Sequence, residues 1–117
     1  MKVRLSENMI RIRMTRDEVH ALCAGESVFL SLPVAPMSMT ISIALTEDAA
    51  PSAEARGGLR IAMPAVWAVG WPTSDAVGFD FDIPGFETPS NQIRIVVEKD
   101  FPCSHDDNKP PAPIRMS

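Results

Sequence analysis

The chain repeats part of its own hydrophobic pattern after 49 residues, and this repeat constrains the fold more than any other feature. Residues 10–32 align without a gap on residues 59–81. Apolar positions match in the first and the last part of the alignment: Ile10, Ile12 and Met14 meet Leu59, Ile61 and Met63, and Val28, Leu30 and Leu32 meet Val77, Phe79 and Phe81. Both halves alternate with the period of a strand on either side of a short central segment. The repeat therefore predicts two ββαβ units packed about an approximate two-fold axis.

Local signals place the elements within each unit. Strands are predicted over Lys2–Leu5, Met9–Met14, Val28–Leu32 and Gln92–Lys99, and over residues 37–45, 59–63 and 77–83. Thr15 and Glu18 have the spacing of a capping box, which predicts a helix from there to about Ala24. A second helix is predicted over residues 64–71, and residues 46–58 are predicted to form a loop. The fold class expected is α+β, a mostly antiparallel sheet with two short helices.

Composition bounds the domain organisation and the classes of partner. We predict one α+β domain over residues 1–103, with repeat units of about 1–45 and 46–101, and a flexible, polar, proline-rich tail over 104–117. The formal net charge of −4 argues against a nucleic-acid partner and a polybasic membrane anchor. No apolar run approaches the roughly 18 residues of a membrane helix. We expect a cytoplasmic protein with no membrane partner and two reduced thiols, Cys23 and Cys103.

Three segments together resemble a known family. The opening "MKVRLSENMIRIRMTRDEV", the middle "VGFDFDIP" and the closing "IRIVVEKDFPC" are similar to a small uncharacterised bacterial family, a domain of unknown function. Its members open with a comparable hairpin and close on a similar "EKDF" segment followed by cysteine. The chain departs from that pattern after Cys103, where Ser104 and His105 follow. The resemblance implies no activity, cofactor or catalytic residue.

One candidate site lies near the carboxyl terminus. Cys103 and His105 could bind a metal ion or act as a thiol and its base, with Glu98 or Asp100 as the acid–base group. A structural zinc site needs four ligands, and the pattern supplies no second pair, so no metal and no cofactor is predicted. The competing interpretation is a solvated strand end followed by an acidic tail with one thiol.

Arginine side chains form a second candidate site. Arg11, Arg13, Arg60 and Arg94, together with Arg4, occupy outward positions of predicted strands. If those strands are neighbours, the guanidinium groups form a surface that binds carboxylate or phosphate. Three outward acidic residues, Asp80, Asp82 and Glu98, would instead pair with the arginines across the strands and neutralise the surface.

The predicted second helix carries Trp67 and Trp71 four residues apart and has no charged residue. A helix that is apolar all round is buried in a core or in an interface. Because tryptophan is enriched at interface hot spots, the pair predicts a self-association surface and a homodimer, with a monomer as the alternative.

The function expected is therefore that of a non-enzymatic binding or interaction module. The arginine face and the tryptophan helix are its predicted surfaces. A thiol- or metal-dependent enzyme centred on Cys103 and His105 is the alternative, and a structural subunit of a larger complex is a third.

Overall fold

The computed structural model describes residues 1–36, 38–55, 57–84 and 92–101. Within these residues, eight strands form two four-stranded sheets, which we call sheet A and sheet B. In chain order the elements are β1 Lys2–Leu5, β2 Met9–Met14, α1 Arg16–Cys23, β3 Val28–Leu32, β4 Met39–Thr46, β5 Ser52–Ala55, β6 Gly58–Pro64, two 3₁₀ helices Ala65–Ala68 and Trp71–Thr73, β7 Gly78–Pro84 and β8 Gln92–Lys99. Sheet A has the order β1-β2-β8-β7, and sheet B has the order β3-β4-β6-β5. The expected α+β class is confirmed.

The sequence predicts one mostly antiparallel sheet, whereas the described strands form two sheets, each mixed by one parallel pair among antiparallel ones. Each sheet consists of two antiparallel hairpins whose inner strands pair in parallel. In sheet A, β2 and β8 are parallel with Ile12 opposite Val97. In sheet B, β4 and β6 are parallel with Ile43 opposite Ile61. In sheet A, the chain passes through both helical connections and all of sheet B between β2 and β8. In sheet B, it passes from β4 to the far edge as β5 and then returns as β6 beside β4.

The core lies between the two sheets and follows the alternation of the strands. Ile12 and Val97 of sheet A and Ile43, Ile61 and Met63 of sheet B are buried in one cluster. Inward and outward positions alternate because successive side chains of a strand point to opposite faces.

The second half of β8 departs from the expected one-sided pattern. Val96 and Glu98, which alternation places outward, are both fully buried. β8 is an inner strand of sheet A, and Arg11 lies beside Val96 in the register. The long aliphatic parts of arginine side chains can cover such positions from the solvent side.

Helix α1 begins as the capping box predicts. The Glu18 amide donates to Thr15 Oγ1 at 3.3 Å, and the Thr15 amide donates to Glu18 Oε1 at 2.9 Å. The amino group of Met1 donates to Glu18 Oε2 at 2.7 Å. Partial burial by itself raises the pKa of Glu18, but the hydrogen bonds from this ammonium group and from Thr15 hold the pKa below its usual value. One carboxylate thus fixes both the start of the helix and the start of the chain.

The prediction of one helix over residues 64–71 is wrong. β6 continues to Pro64, and the following residues form the two short 3₁₀ helices. Val69 is extended and Gly70 is left-handed, with φ of 72°, so the helical backbone is interrupted between Ala68 and Trp71.

The predicted loop over residues 46–58 contains the edge strand β5. Ala53 lies opposite Ile61, and Glu54 lies opposite Arg60. Alanine and glutamate are poor strand formers, so the sequence Ser52–Ala55 gives little local signal. The partner strand β6 supplies the hydrogen bonds that make the segment a strand.

Two further predictions concern residues that the structure does not describe. These are the placement of Met37 in a strand and the flexible tail over 104–117.

The two ends of the molecule are built differently. Helix α1 and the 3₁₀ helices connect β2 to β3 and β6 to β7, so the helical residues that the structure describes lie at one end, which we call the helical end. The carboxyl ends of β1, β3, β5 and β7 and the amino ends of β2, β4, β6 and β8 lie at the opposite end, which we call the open end. Within the described residues no helix is long and apolar enough to cross a lipid bilayer.

Candidate functional site

A cavity of about 980 Å³ opens between the two sheets at the open end. Sheet A contributes the strand-end residues Leu5, Ile10, Ile83 and Ile93. Sheet B and the β3–β4 connection contribute, among others, Val34, Ser38, Met39, Ile41, Ala53, Ala55 and Leu59. Its size lies at the upper end of the range of about 300–1,000 Å³ that is typical of small-molecule sites.

Differences in side-chain size between the two ends explain why the core is open here. At the helical end, Trp71, Met14, Met63 and Leu22 fill the space between the sheets. At the open end, the inward positions of β5 are only Ala53 and Ala55. Because interiors are otherwise close-packed, small side chains at facing positions leave space between the sheets.

The chemistry of the lining is almost entirely apolar. Ser38 supplies the one polar side chain among the described lining residues, and none of them is charged. Such a surface binds by burial of apolar area and gives a charged group no partner. Sequence reasoning missed this site, although the alanines of β5 and the prolines that bracket the β3–β4 connection are visible in the sequence.

Exposed apolar side chains surround the mouth of the cavity. Leu5, Val34 and Met39 line the cavity and are also about half or more exposed to solvent. Leu32, opposite Met39 in the β3–β4 register, is exposed to 48% without lining the cavity. We call these four residues the rim. The apolar character of the cavity therefore continues onto the outer surface.

The arginine residues do not form one shared face. Arg11, Arg13 and Arg94 lie on the outer face of sheet A, whereas Arg60 lies on β6 in sheet B. Arg94 is within 3.5 Å of Asp80 and 3.7 Å of Asp82. The cross-strand charge pairs are therefore present on sheet A.

Glu98 is the centre of the other charge group on sheet A. Its Oε1 lies 3.0 Å from Arg13 Nε and 3.5 Å from Arg11 Nε, and its side chain is 0% exposed. Both carboxylate oxygens lack a well-oriented hydrogen bond among the described residues. The carboxylate therefore depends on the two guanidinium charges for compensation.

The family assignment follows from a match over nearly the whole chain. The model of a family of unknown function, DUF7009, matches residues 1–111. The chain belongs to DUF7009. The resemblance seen in the sequence is thus confirmed. No curated protein and no solved structure matches this DUF7009 chain.

Only the acidic residues of the carboxyl-terminal candidate site of the DUF7009 chain belong to the described residues. Cys103 and His105 lie outside the described residues. Asp100 forms an ion pair with Lys2, its Oδ2 being 3.0 Å from Lys2 Nζ, and its amide donates to the Met14 carbonyl. Glu98 and Asp100 both lie at the carboxyl end of β8, which is at the helical end and remote from the cavity. Among the described residues, no three His, Cys, Asp or Glu side chains form a group that could hold a metal ion.

The two tryptophans of this DUF7009 chain have different environments. Trp71 is 1% exposed, its Nε1 donates to the Ala76 carbonyl at 2.9 Å, and its ring meets Phe79 edge-on. Trp67 is half-buried and stacks on Phe79 with ring centroids 5.6 Å apart. The exposed apolar residues of this segment are instead Val66 and Val69.

Cys23 is the thiol that the structure describes. Burial raises its pKa above the ordinary value, although the positive charge of Lys99 acts in the opposite direction. Its Sγ lies 3.7 Å from the Ala68 carbonyl oxygen. A thiol with a raised pKa is mostly protonated at neutral pH and is a poor nucleophile.

Proposed function

We propose that this DUF7009 chain is a non-enzymatic binding module that holds a small, uncharged, apolar ligand in the cavity at the open end. The cavity itself carries the proposal, since it combines a volume suited to a ligand with an apolar lining. The surrounding hairpins form a two-sheet framework, and binding residues are commonly presented at the loop end of such a framework.

The positions of the acidic candidates favour binding over the thiol-enzyme alternative. That alternative needs Glu98 or Asp100 as an acid–base group. Glu98 already compensates two arginines, and Asp100 is paired with Lys2. Both lie at the end of the molecule opposite the cavity.

A variant with a bulky side chain in the cavity tests the proposal. Ala55→Trp places a large side chain where the inward face of β5 lines the cavity. We expect it to weaken binding of the uncharged fluorescent probe N-phenylnaphthylamine by at least about tenfold, since the indole ring takes up space and apolar surface that the probe would contact. Titration followed by probe fluorescence measures the affinity.

The matched control is Ser52→Trp, because Ser52 lies on the same strand at a position facing away from the core. This control should bind the probe as the wild type does. Absence of probe binding by the wild type, or equal binding by Ala55→Trp and the wild type, contradicts the proposal.

We also propose that the chain is an internal duplication, with β1 to β4 as one unit and β5 to β8 as the other. The support is that each unit runs hairpin, helical connection, hairpin, with its two hairpins in different sheets. The parallel pairs β2–β8 and β4–β6 then occupy equivalent positions. The approximate two-fold axis passes between the sheets in this proposal.

Homodimerisation remains a proposal, and its most suitable surface is now the pair Val66 and Val69. These side chains are exposed to 70% and 81%, whereas Trp71 is buried within its own chain. Native mass spectrometry of the wild type is expected to show two copies, and Val69→Asp is expected to show one, because a charge in an apolar interface is costly. A wild-type protein that is monomeric at high concentration excludes the dimer.

A further inference from the structure

We infer that the rim docks on the surface of a lipid bilayer, and that the cavity takes its apolar ligand from there. This inference rests on the proposed function, because it supplies the source of the ligand that the cavity holds. It concerns a shallow, reversible contact of the open end and needs neither a spanning helix nor a polybasic anchor. The sequence-based expectation of no membrane partner rested on the absence of signals for a spanning helix and for a polybasic anchor.

The distribution of exposed apolar side chains carries the inference. Seven large apolar residues are prominently exposed in the described part of the chain: Leu5, Phe29, Leu32, Val34, Met39, Val66 and Val69. Four of them form the rim, and they come from both sheets. Scattered exposed apolar residues are ordinary, but a group around one opening is typical of a contact surface.

Continuity between the rim and the cavity distinguishes a bilayer from other occupants. Leu5, Val34 and Met39 belong to both, so a ligand leaving an apolar phase at the rim meets apolar surface throughout its path. A second copy docked on the rim would close the opening and block the ligand. A bilayer covers the same side chains and also supplies molecules of the chemistry that the lining accepts.

Charge determines which bilayer fits. The chain has a formal net charge of −4, and the described lining has no charged side chain. Anionic lipid would repel the protein, so docking must depend on apolar insertion. We therefore expect binding to vesicles of zwitterionic phosphatidylcholine, which carry no net charge, and we expect added salt not to weaken it.

The test compares two exposed positions on the same strand, β3. Leu32→Asp places a charge on the rim without altering the cavity lining, and Phe29→Asp places the same charge on the outer face of sheet B. We expect Leu32→Asp to lower the fraction that floats with phosphatidylcholine vesicles by about tenfold or more, since a carboxylate resists insertion into lipid. Phe29→Asp should float as the wild type does.

Each variant is also titrated with N-phenylnaphthylamine in the absence of vesicles, so that the two proposals fail separately. Probe binding retained by Leu32→Asp together with loss of flotation supports docking through the rim. A wild type that binds the probe but does not float with vesicles overturns the docking and leaves the cavity site standing. Wild-type protein that does not bind the probe overturns both. Equal loss of flotation in Phe29→Asp, or a dimer that Leu32→Asp dissociates, also overturns the docking.

Discussion

Replacing Trp71 with alanine is expected to lower the free energy of unfolding by about 3–5 kcal/mol, the range for removing a buried large aromatic side chain. The ring is 1% exposed and is the largest side chain in the core at the helical end. It also contacts Phe79 edge-on with centroids 5.0 Å apart, and Lys99 Nζ lies 5.8 Å from its centroid. Its removal therefore creates a cavity and separates contacts that join the 3₁₀ segment to β7 and β8.

Urea unfolding followed by circular dichroism measures this change. Trp67→Ala is the matched control, because Trp67 is the same residue type four positions earlier but only half-buried. Its loss should be clearly smaller, and Trp71→Phe should retain part of the stability by keeping an aromatic ring. A free energy of unfolding of Trp71→Ala within about 1 kcal/mol of the wild-type value would contradict this prediction, because it would show that the core tolerates the space left by the ring.

The second large effect is expected at Glu98. We expect Glu98→Ala to lower the free energy of unfolding by about 2–4 kcal/mol, because it leaves two guanidinium groups without their shared carboxylate. Removal of one partner of a fully buried ion pair costs about 3–5 kcal/mol, and the figure is lower here since the arginine side chains can turn toward water. Their side chains are exposed to 22% for Arg11 and 33% for Arg13.

A double-mutant cycle isolates the interaction from the loss of packing. Glu98→Ala, Arg13→Ala and the double variant are compared by urea unfolding. If the ion pair stabilises the fold, the double variant loses less than the sum of the two single variants. Strict additivity would mean that the 3.0 Å contact contributes no interaction energy. Probe binding in Glu98→Ala should remain, because Glu98 lies at the helical end.

Local chemistry made several parts of the fold predictable. The Thr15–Glu18 capping box defined the start of α1 because both partners lie within one helical turn. The hairpin β1–β2 and the alternating faces of β2 follow from neighbouring residues in the same way. The charge pairs of Arg94 with Asp80 and Asp82 could be anticipated as an alternative to an open arginine surface.

Other features depended on contacts between distant parts of the chain. β5 is a strand because β6 pairs with it, although its own residues are poor strand formers. Glu98 alternates like a surface residue, but it is buried because β8 became an inner strand beside β2. The cavity was not predicted, since its lining is contributed by strand ends from both sheets and from both halves of the chain.

The sequence by itself determined where seven of the eight described strands and the capped helix form and which of their faces are apolar, because propensity, capping and alternation act over a few residues. Only the tertiary structure decided which hairpin joins which sheet, which strands pair in parallel and which end of the core stays open. Those outcomes depend on packing between residues far apart in the chain. The sizes of side chains such as Trp71 and Ala55 determine where the core is filled and where it is open only once the two sheets pack together.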